Sequence, residues 1–257
     1  MKQLFLLKIG GKVIEDQGLL EEALQVFANQ PGYKILIHGG GKRATEVSKQ
    51  LGIPVQMVNG RRITNAATLE VAVMVYAGLA NKTIVAKLQS FHCNAIGMSG
   101  ADANAILAHK RPVKDVDYGF AGDVDVVNAT TIQTLLEGNL TPVFCAITHD
   151  GNGQLLNTNA DTIAMQLATA LAPYYAVSLN FCFEKRGVLL NPSDDHSVIP
   201  TLNRSEYQQY QADGVITHGM LPKLDNAFEA LEKGVKEVRI GDVSGVFEKK
   251  GTLLKRF

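Results

Sequence analysis

The 257-residue sequence has no surplus of either charge: lysine plus arginine and aspartate plus glutamate both number 25, and the formal net charge is zero. A chain that tracks a phosphate backbone normally carries a basic excess, so a nucleic-acid partner is not expected. No stretch of about 18 consecutive apolar residues occurs, and the first apolar run stops at Gly10 and Gly11. Neither a membrane span nor a secretory leader is expected. Cysteine is scarce: Cys93, Cys145 and Cys182 are scattered, odd in number, and form no CxxC pair. They read as buried thiols of a reducing compartment, and a cytoplasmic location is expected. The histidines form no HxH or HExxH pattern, so no protein-borne metal site is expected. There is no GxSxG elbow. The nucleotide signatures GxxxxGKS/T and GxGxxG are also missing, which counts against a Walker ATPase and a hydride-transferring dinucleotide enzyme.

With 46% hydrophobic residues the chain has ample material for a sizeable core. Residues 3–9 are apolar nearly throughout, the pattern of an inner strand covered on both faces. A helix is predicted near 19–27, a second strand over 34–38, then Gly39-Gly40-Gly41 and a helix over 43–51. Residues 55–63 read as a hairpin turned by Asn59-Gly60. Residues 65–92 read as one long helix with a broad apolar band, suited either to a subunit contact or to burial in the monomer. Further strands are predicted at 95–98, 141–147, 176–179, 187–190 and 237–240. Helices are predicted at 129–137, 159–171 and 223–233. This alternation predicts an α/β fold with a largely parallel sheet. Pro173 interrupts a helix and marks the boundary between two lobes, residues 1–172 and 173–257, that share one sheet.

Two glycine turns follow the first two strands, Lys8-Ile9-Gly10-Gly11 and His38-Gly39-Gly40-Gly41-Lys42. Missing side chains let backbone N–H groups approach an anion, and the second turn also opens a helix. Either turn alone is equally well a tight strand-to-helix connection. Lys8, at the end of an apolar strand, either snorkels or meets a bound anion. In Asn157-Thr158-Asn159-Ala160-Asp161 one residue suffices to cap the following helix, and three polar side chains exceed that need. Lys223 opens a helix just after Pro222, where a cation opposes the helix dipole. It is either solvated or held for a ligand. Arg61 and Arg62 beside the hairpin are a surface pair or a fork for a carboxylate. His38 is expected to hydrogen-bond at the strand end.

The ordered set Lys8-Ile9-Gly10-Gly11, His38-Gly39-Gly40-Gly41, Asn59-Gly60-Arg61-Arg62-Ile63-Thr64, Ala80-Asn81-Lys82, Asn157-Thr158-Asn159-Ala160-Asp161 and Gly219-Met220-Leu221-Pro222-Lys223 resembles the N-acetylglutamate kinases of the amino-acid kinase family. The resemblance runs from about residue 2 to 235. It implies a three-layer fold, an open, mainly parallel eight-stranded sheet sandwiched by helices. It implies an N-terminal lobe for the acylated amino acid and for homodimerisation, and a C-terminal lobe for ATP with Mg²⁺. By matching position, Gly40, Gly41, Arg62, Asn157 and Asn159 would hold the N-acylglutamate, with Arg62 on its α-carboxylate. Lys8 and Lys223 would stabilise the phosphoryl group in transfer, and Asp161 would hold the lysines in place. Gly10, Gly11, Asn180, Lys185, Ile216 and Thr217 would face the nucleotide and its phosphates. The family usually has Ser/Thr-Asp and then Gly-Ile-Leu near residue 179. Here Leu179-Asn180-Phe181-Cys182-Phe183-Glu184-Lys185-Arg186-Gly187 puts Asn180 in place of the acid and adds residues. No helix precedes the first strand, which by the resemblance implies a dimer without arginine feedback.

The acyl group is either acetyl or succinyl, the latter wanting a basic partner such as Lys42, Arg43 or Arg61. Two other readings stay open: the same fold with another acceptor, and a non-catalytic sensor of an amino-acid derivative.

Overall fold

In a computed structural model of the chain, residues 1–58, 60–216 and 220–256 are described. The expectations for Asn59, Thr217 and Gly219, including the hairpin turn at Asn59-Gly60, fall outside these residues. The eight-stranded, mainly parallel sheet flanked by helices is present. The chain forms two compact units, one of Met1–Lys34 with Ala164–Phe257 and the other of Ile35–Ile163. The sequence division at 172–174 follows the chain; the units instead group the first strand with the C-terminal residues.

In the first unit, strand Gln3–Ile9 runs parallel to Ala176–Cys182, pairing Gln3 with Ala176 and Ile9 with Cys182. Ala176–Cys182 is parallel to Glu237–Gly241, which is antiparallel to Thr252–Lys255, and Thr201–Asn203 closes the edge. Leu4, Leu6, Leu7 and Ile9 are all buried, because helices cover a parallel strand on both faces. Asp16 caps helix Gln17–Ala28 by accepting from the Leu19 N–H at 3.0 Å. Asn203 and Glu206 cap helix Arg204–Ala212 reciprocally. The strand expected at 187–190 is only a single bridge from Leu189 to Val198. Lys223 is the third residue of helix Leu221–Glu232, with Pro222 in its first turn.

In the second unit, Tyr33–His38 and Ala95–Met98 run parallel to Thr141–Cys145. The strand predicted over 141–147 breaks at Ala146, and Ile147–His149 joins Leu155–Thr158, Ala121–Val127 and Ile106–Lys110 in a small closed sheet. Met57–Val58 and Arg61–Arg62 form the hairpin. The long helix is present as Ala66–Ala72, a π-helical stretch Val73–Ala80, and Asn81–Ser90. Together, Ala66–Ser90 is long and apolar enough to cross a membrane by length and composition. Glu70, Asn81, Lys82 and Lys87 interrupt it, so no unbroken apolar run betrays it in the sequence. Its last part packs on strands Ala95–Met98 and Thr141–Cys145. Helix Ala129–Glu137 ends as predicted, and Asn139 just beyond it takes the left-handed conformation (φ 63°).

All three cysteines are free and buried. Burial pushes the Cys145 and Cys182 thiols up to about 12.

Candidate active site

A cleft of about 200 Å³ lies wholly in the unit Ile35–Ile163, and Gly39, Gly40, Gly41, Arg62, Asn157 and Asn159 line it. Five residues singled out from the sequence for acylglutamate are therefore brought together: Gly40, Gly41, Arg62, Asn157 and Asn159. Strand Tyr33–His38 delivers the glycines to the N-terminus of helix Gly41–Gln50, whose unbonded N–H groups favour an anion. Arg62 is buried at 8% exposure while Arg61 is exposed. Arg62 Nη2 donates to the Gly41 carbonyl and to Thr45 Oγ1, each at 2.7 Å. Its Nη1 is buried without a hydrogen-bond partner among the described residues. A buried guanidinium arm without a partner is costly, and a bound carboxylate would satisfy it.

Asn157 sits at the end of strand Leu155–Thr158 and donates through Nδ2 to Thr64 Oγ1 at 3.0 Å. Thr64 Oγ1 donates in turn to the Arg62 carbonyl at 3.1 Å. Asn159 caps helix Ala160–Leu171, its Oδ1 accepting from the N–H groups of Asp161 (2.8 Å) and Thr162 (3.1 Å). The capping reading and the cleft reading of Asn159 hold together. His38 is wholly buried; its Nδ1 bonds the Gly39 carbonyl at 2.8 Å and its Nε2 meets Asn81 Nδ2 at 3.0 Å. Both contacts are satisfied when Nδ1 carries the proton. Burial pushes this imidazole down to about 4, against the raising effect of the Gly39 bond.

Tyr76, Arg111 and Gly122 are among the lining residues that the sequence does not single out. Tyr76 comes from the π-helical stretch and is buried at 5% exposure. Arg111 forks onto Asp123, with Nε 3.2 and 3.1 Å from the two carboxylate oxygens. That hydrogen bond, against the cost of burial, holds the Asp123 carboxyl below the usual carboxylate range. Gly122 has a place for a Cβ only 2.5 Å from Thr158 Oγ1, so it must stay bare. The one signal available was the pairing of basic residues at 109 and 111 with acids at 123 and 125 across a hairpin.

A second cleft, of about 340 Å³, lies wholly in the other unit. Phe183, Val188, Leu189, Pro192, Val215, Ile216 and Met220 make it largely apolar, with Lys185 and Lys223 on its wall. Lys223 Nζ lies 5.3 Å from the ring centroid of Phe181 and 5.9 Å from that of Phe183. Aromatic faces thus offset a cation at a helix N-terminus. Lys185 pairs with Asp195 at 2.7 Å, and Lys12 with Glu184 at 2.8 Å. Such a cleft suits a flat heteroaromatic base beside a polyanion.

Two nucleotide-facing expectations are placed elsewhere. Asn180 is turned into the sheet, its Nδ2 bonded to the carbonyls of Leu6 and Ser178 at 3.2 Å. It lines a separate cleft of about 280 Å³ with Gln3 and Phe247. The Gly10 N–H donates to the Cys182 carbonyl at 2.8 Å, so it serves the sheet and is not offered to a phosphate. Gly11 opens the short helix Gly11–Glu15. Lys8 is the penultimate residue of its strand, at 9% exposure. Asp161 stands in the first turn of its helix.

Among the described residues no three of His, Cys, Asp or Glu gather as a metal cage.

The model of the amino acid kinase family matches residues 3–242. The acetylglutamate kinase of Bacteroides thetaiotaomicron is 52% identical over 255 residues, covering 99% of both chains. That of Cytophaga hutchinsonii is 52% identical over 96% of this chain and 94% of its own. A crystal structure of a Streptococcus mutans protein superposes with a TM-score of 0.81 at 26% identity, covering 99% of each chain.

Proposed function

Because this chain belongs to the amino acid kinase family, and relatives half-identical to it from end to end are acetylglutamate kinases, we propose that it transfers the γ-phosphoryl group of ATP to the side-chain carboxylate of N-acetyl-L-glutamate, in arginine biosynthesis. The observation that carries the substrate half is Arg62, buried in the glycine-lined cleft with Nη1 unpartnered. Arg62 takes the α-carboxylate, while Gly40, Gly41, Asn157 and Asn159 surround the rest of the molecule. The apolar cleft at Phe183 and Ile216 takes the adenine, with Lys185 on its wall toward the phosphates. The setting we infer is a cytoplasmic homodimer, with neither nucleic acid nor membrane as partner.

The chemistry is an attack by a carboxylate oxygen on the γ-phosphorus; the bond from that phosphorus to the β–γ bridging oxygen breaks and ADP leaves. The acceptor is already ionised near pH 7, so no general base is needed. What must be overcome is repulsion between two anions. Transfer through a loose transition state relies on positioning and charge stabilisation. Lys8 and Lys223 are assigned to the charge on the transferring group, and Asp161 to orienting them. Mg²⁺, entering with ATP and held by its phosphates, would supply further charge neutralisation.

Arg61 and Arg111 line the same cleft as Arg62 and favour a second reading, in which the acyl group is succinyl and carries its own carboxylate. ATP-dependent hydroxamate formation with N-acetylglutamate and N-succinylglutamate, side by side, decides between them. Lys8→Ala is expected to lower kcat about 10²–10³-fold. Absence of product with either acceptor would sink the kinase assignment.

A further inference from the structure

The bare Cα of Gly40 does not face open space. A Cβ built there would lie 2.7 Å from Cδ1 and 3.1 Å from Cε1 of Tyr76, so the tyrosine ring fills the room that a side chain would need. The same ring comes close to Gly41, where a Cβ would stand 3.8 Å from the Tyr76 hydroxyl and 4.0 Å from Arg62 Nη2. Phenol and guanidinium therefore converge on one spot at the mouth of helix Gly41–Gln50. Burial raises the Tyr76 phenol above its ordinary value, and the charge and hydrogen-bonding of Arg62 pull it back. Arg62 has committed Nη2 to Gly41 and Thr45, and Nη1 is the arm left over.

Tyr76 owes its place to the irregular helix. The Asn81 N–H reaches back to the Tyr76 carbonyl, an i→i−5 bond of the π-helical stretch. A π-turn rotates the side chains of its residues relative to a regular helix, and such turns recur at functional sites.

We propose that Tyr76 is a positioning residue for N-acetylglutamate: its ring seats against Gly40 and its hydroxyl holds the Arg62 fork so that Nη1 meets the substrate α-carboxylate. This rests on the acylglutamate reading above. It also changes the reason for glycine at position 40, which makes room for an aromatic ring as much as for a ligand.

The test is Tyr76→Phe, which keeps the ring and removes one oxygen. N-acetylglutamate binding, read by calorimetry and as KM, is expected to weaken about tenfold or more, the scale of a hydrogen bond to a charged group. The KM for MgATP and the Tm are expected to stay at their wild-type values. In Arg62→Lys the fork is gone, so adding Tyr76→Phe is expected to cost nothing further. Wild-type affinity in Tyr76→Phe, or a loss that adds in full to that of Arg62→Lys, would overturn the assignment. A fall in Tm with MgATP binding weakened alike would reduce Tyr76 to packing and overturn it too. If wild-type protein itself fails to bind N-acetylglutamate, the acylglutamate reading falls first and this one with it.

Discussion

Arg62 concentrates the substrate argument in one guanidinium. Lysine at that position keeps the charge and loses the fork, so Arg62→Lys is expected to raise the KM for N-acetylglutamate about 10²-fold with little change in the KM for MgATP. Gly40→Ala drives a methyl group into the buried ring of Tyr76. Overpacking of this kind costs about 1–3 kcal/mol, and a lowered Tm together with weakened N-acetylglutamate binding is expected. His38 makes a separate, pH-dependent contribution. Its folded value of about 4 lies below the ordinary histidine value of 6.5. As pH falls through 6.5 the unfolded chain takes up a proton that the folded chain refuses until about 4. Stability is complete above that window and declines within it, by up to about 3 kcal/mol. Urea midpoints from pH 7.5 to 4.5 check this; His38→Asn is expected to flatten the slope, and an unchanged slope would acquit the imidazole. Arg62, Asn157 and Asn159, which line one cleft, are singled out in the sequence chiefly by the family resemblance: the polar side chains of 157–161 exceed what capping requires, but Arg61 and Arg62 alone read equally well as a surface pair. Tyr76 is not singled out, because in the sequence it is one more apolar-band residue of a long helix.

At the scale of elements, the long helix shows why periodicity alone falls short. Its apolar band left a subunit contact and burial in the monomer both open, and Leu69, Val71, Val75 and Tyr76 are buried while Met74 and Leu79 are exposed; nothing in the pattern marks where α-helical bonding gives way to π over Val73–Ala80. The strand break at Ala146 hid for the same reason: residues 142–147 are apolar throughout, and only the pairing of Ile147–His149 with the small closed sheet divides them. Strand Gln3–Ile9 was read to the residue, since Gly10 punctuates it. Where the long helix meets strand Ala95–Met98, Gly97 carries its bare Cα against Asn81 Oδ1 and Lys82 Nζ. Asn81 is buried at 1% exposure and holds the Val143 carbonyl at 2.9 Å, so it has little freedom to yield. Gly97→Ala is expected to lower stability by about 1–3 kcal/mol, visible as a lower urea midpoint, with Gly78→Ala, which has open space, as the neutral comparison.

For the whole molecule, alternation of strands and helices was enough to predict a mainly parallel sheet, but not how the chain partitions. The first strand pairs with Ala176–Cys182, far along the sequence, and no linear boundary can express that. The ligand assignments can be read unit by unit. Saturating N-acetylglutamate is expected to slow hydrogen exchange chiefly in residues 35–163, and a non-hydrolysable MgATP analogue chiefly in residues 1–34 and 164–257. A ligand at a hundred times its Kd adds about 2.7 kcal/mol, enough for the protection to be plain. Protection of the opposite unit by either ligand would reverse the assignment.

The buried cysteines give the folded chain a chemical silence. With Cys145 and Cys182 thiols held near 12 by burial, almost no thiolate exists at neutral pH for an alkylating reagent to capture. Modification must wait for an opening event, which turns each sulfur into a clock. Cys182 keeps time for one unit and Cys145 for the other, so mass-resolved alkylation would tell which half of the molecule breathes first.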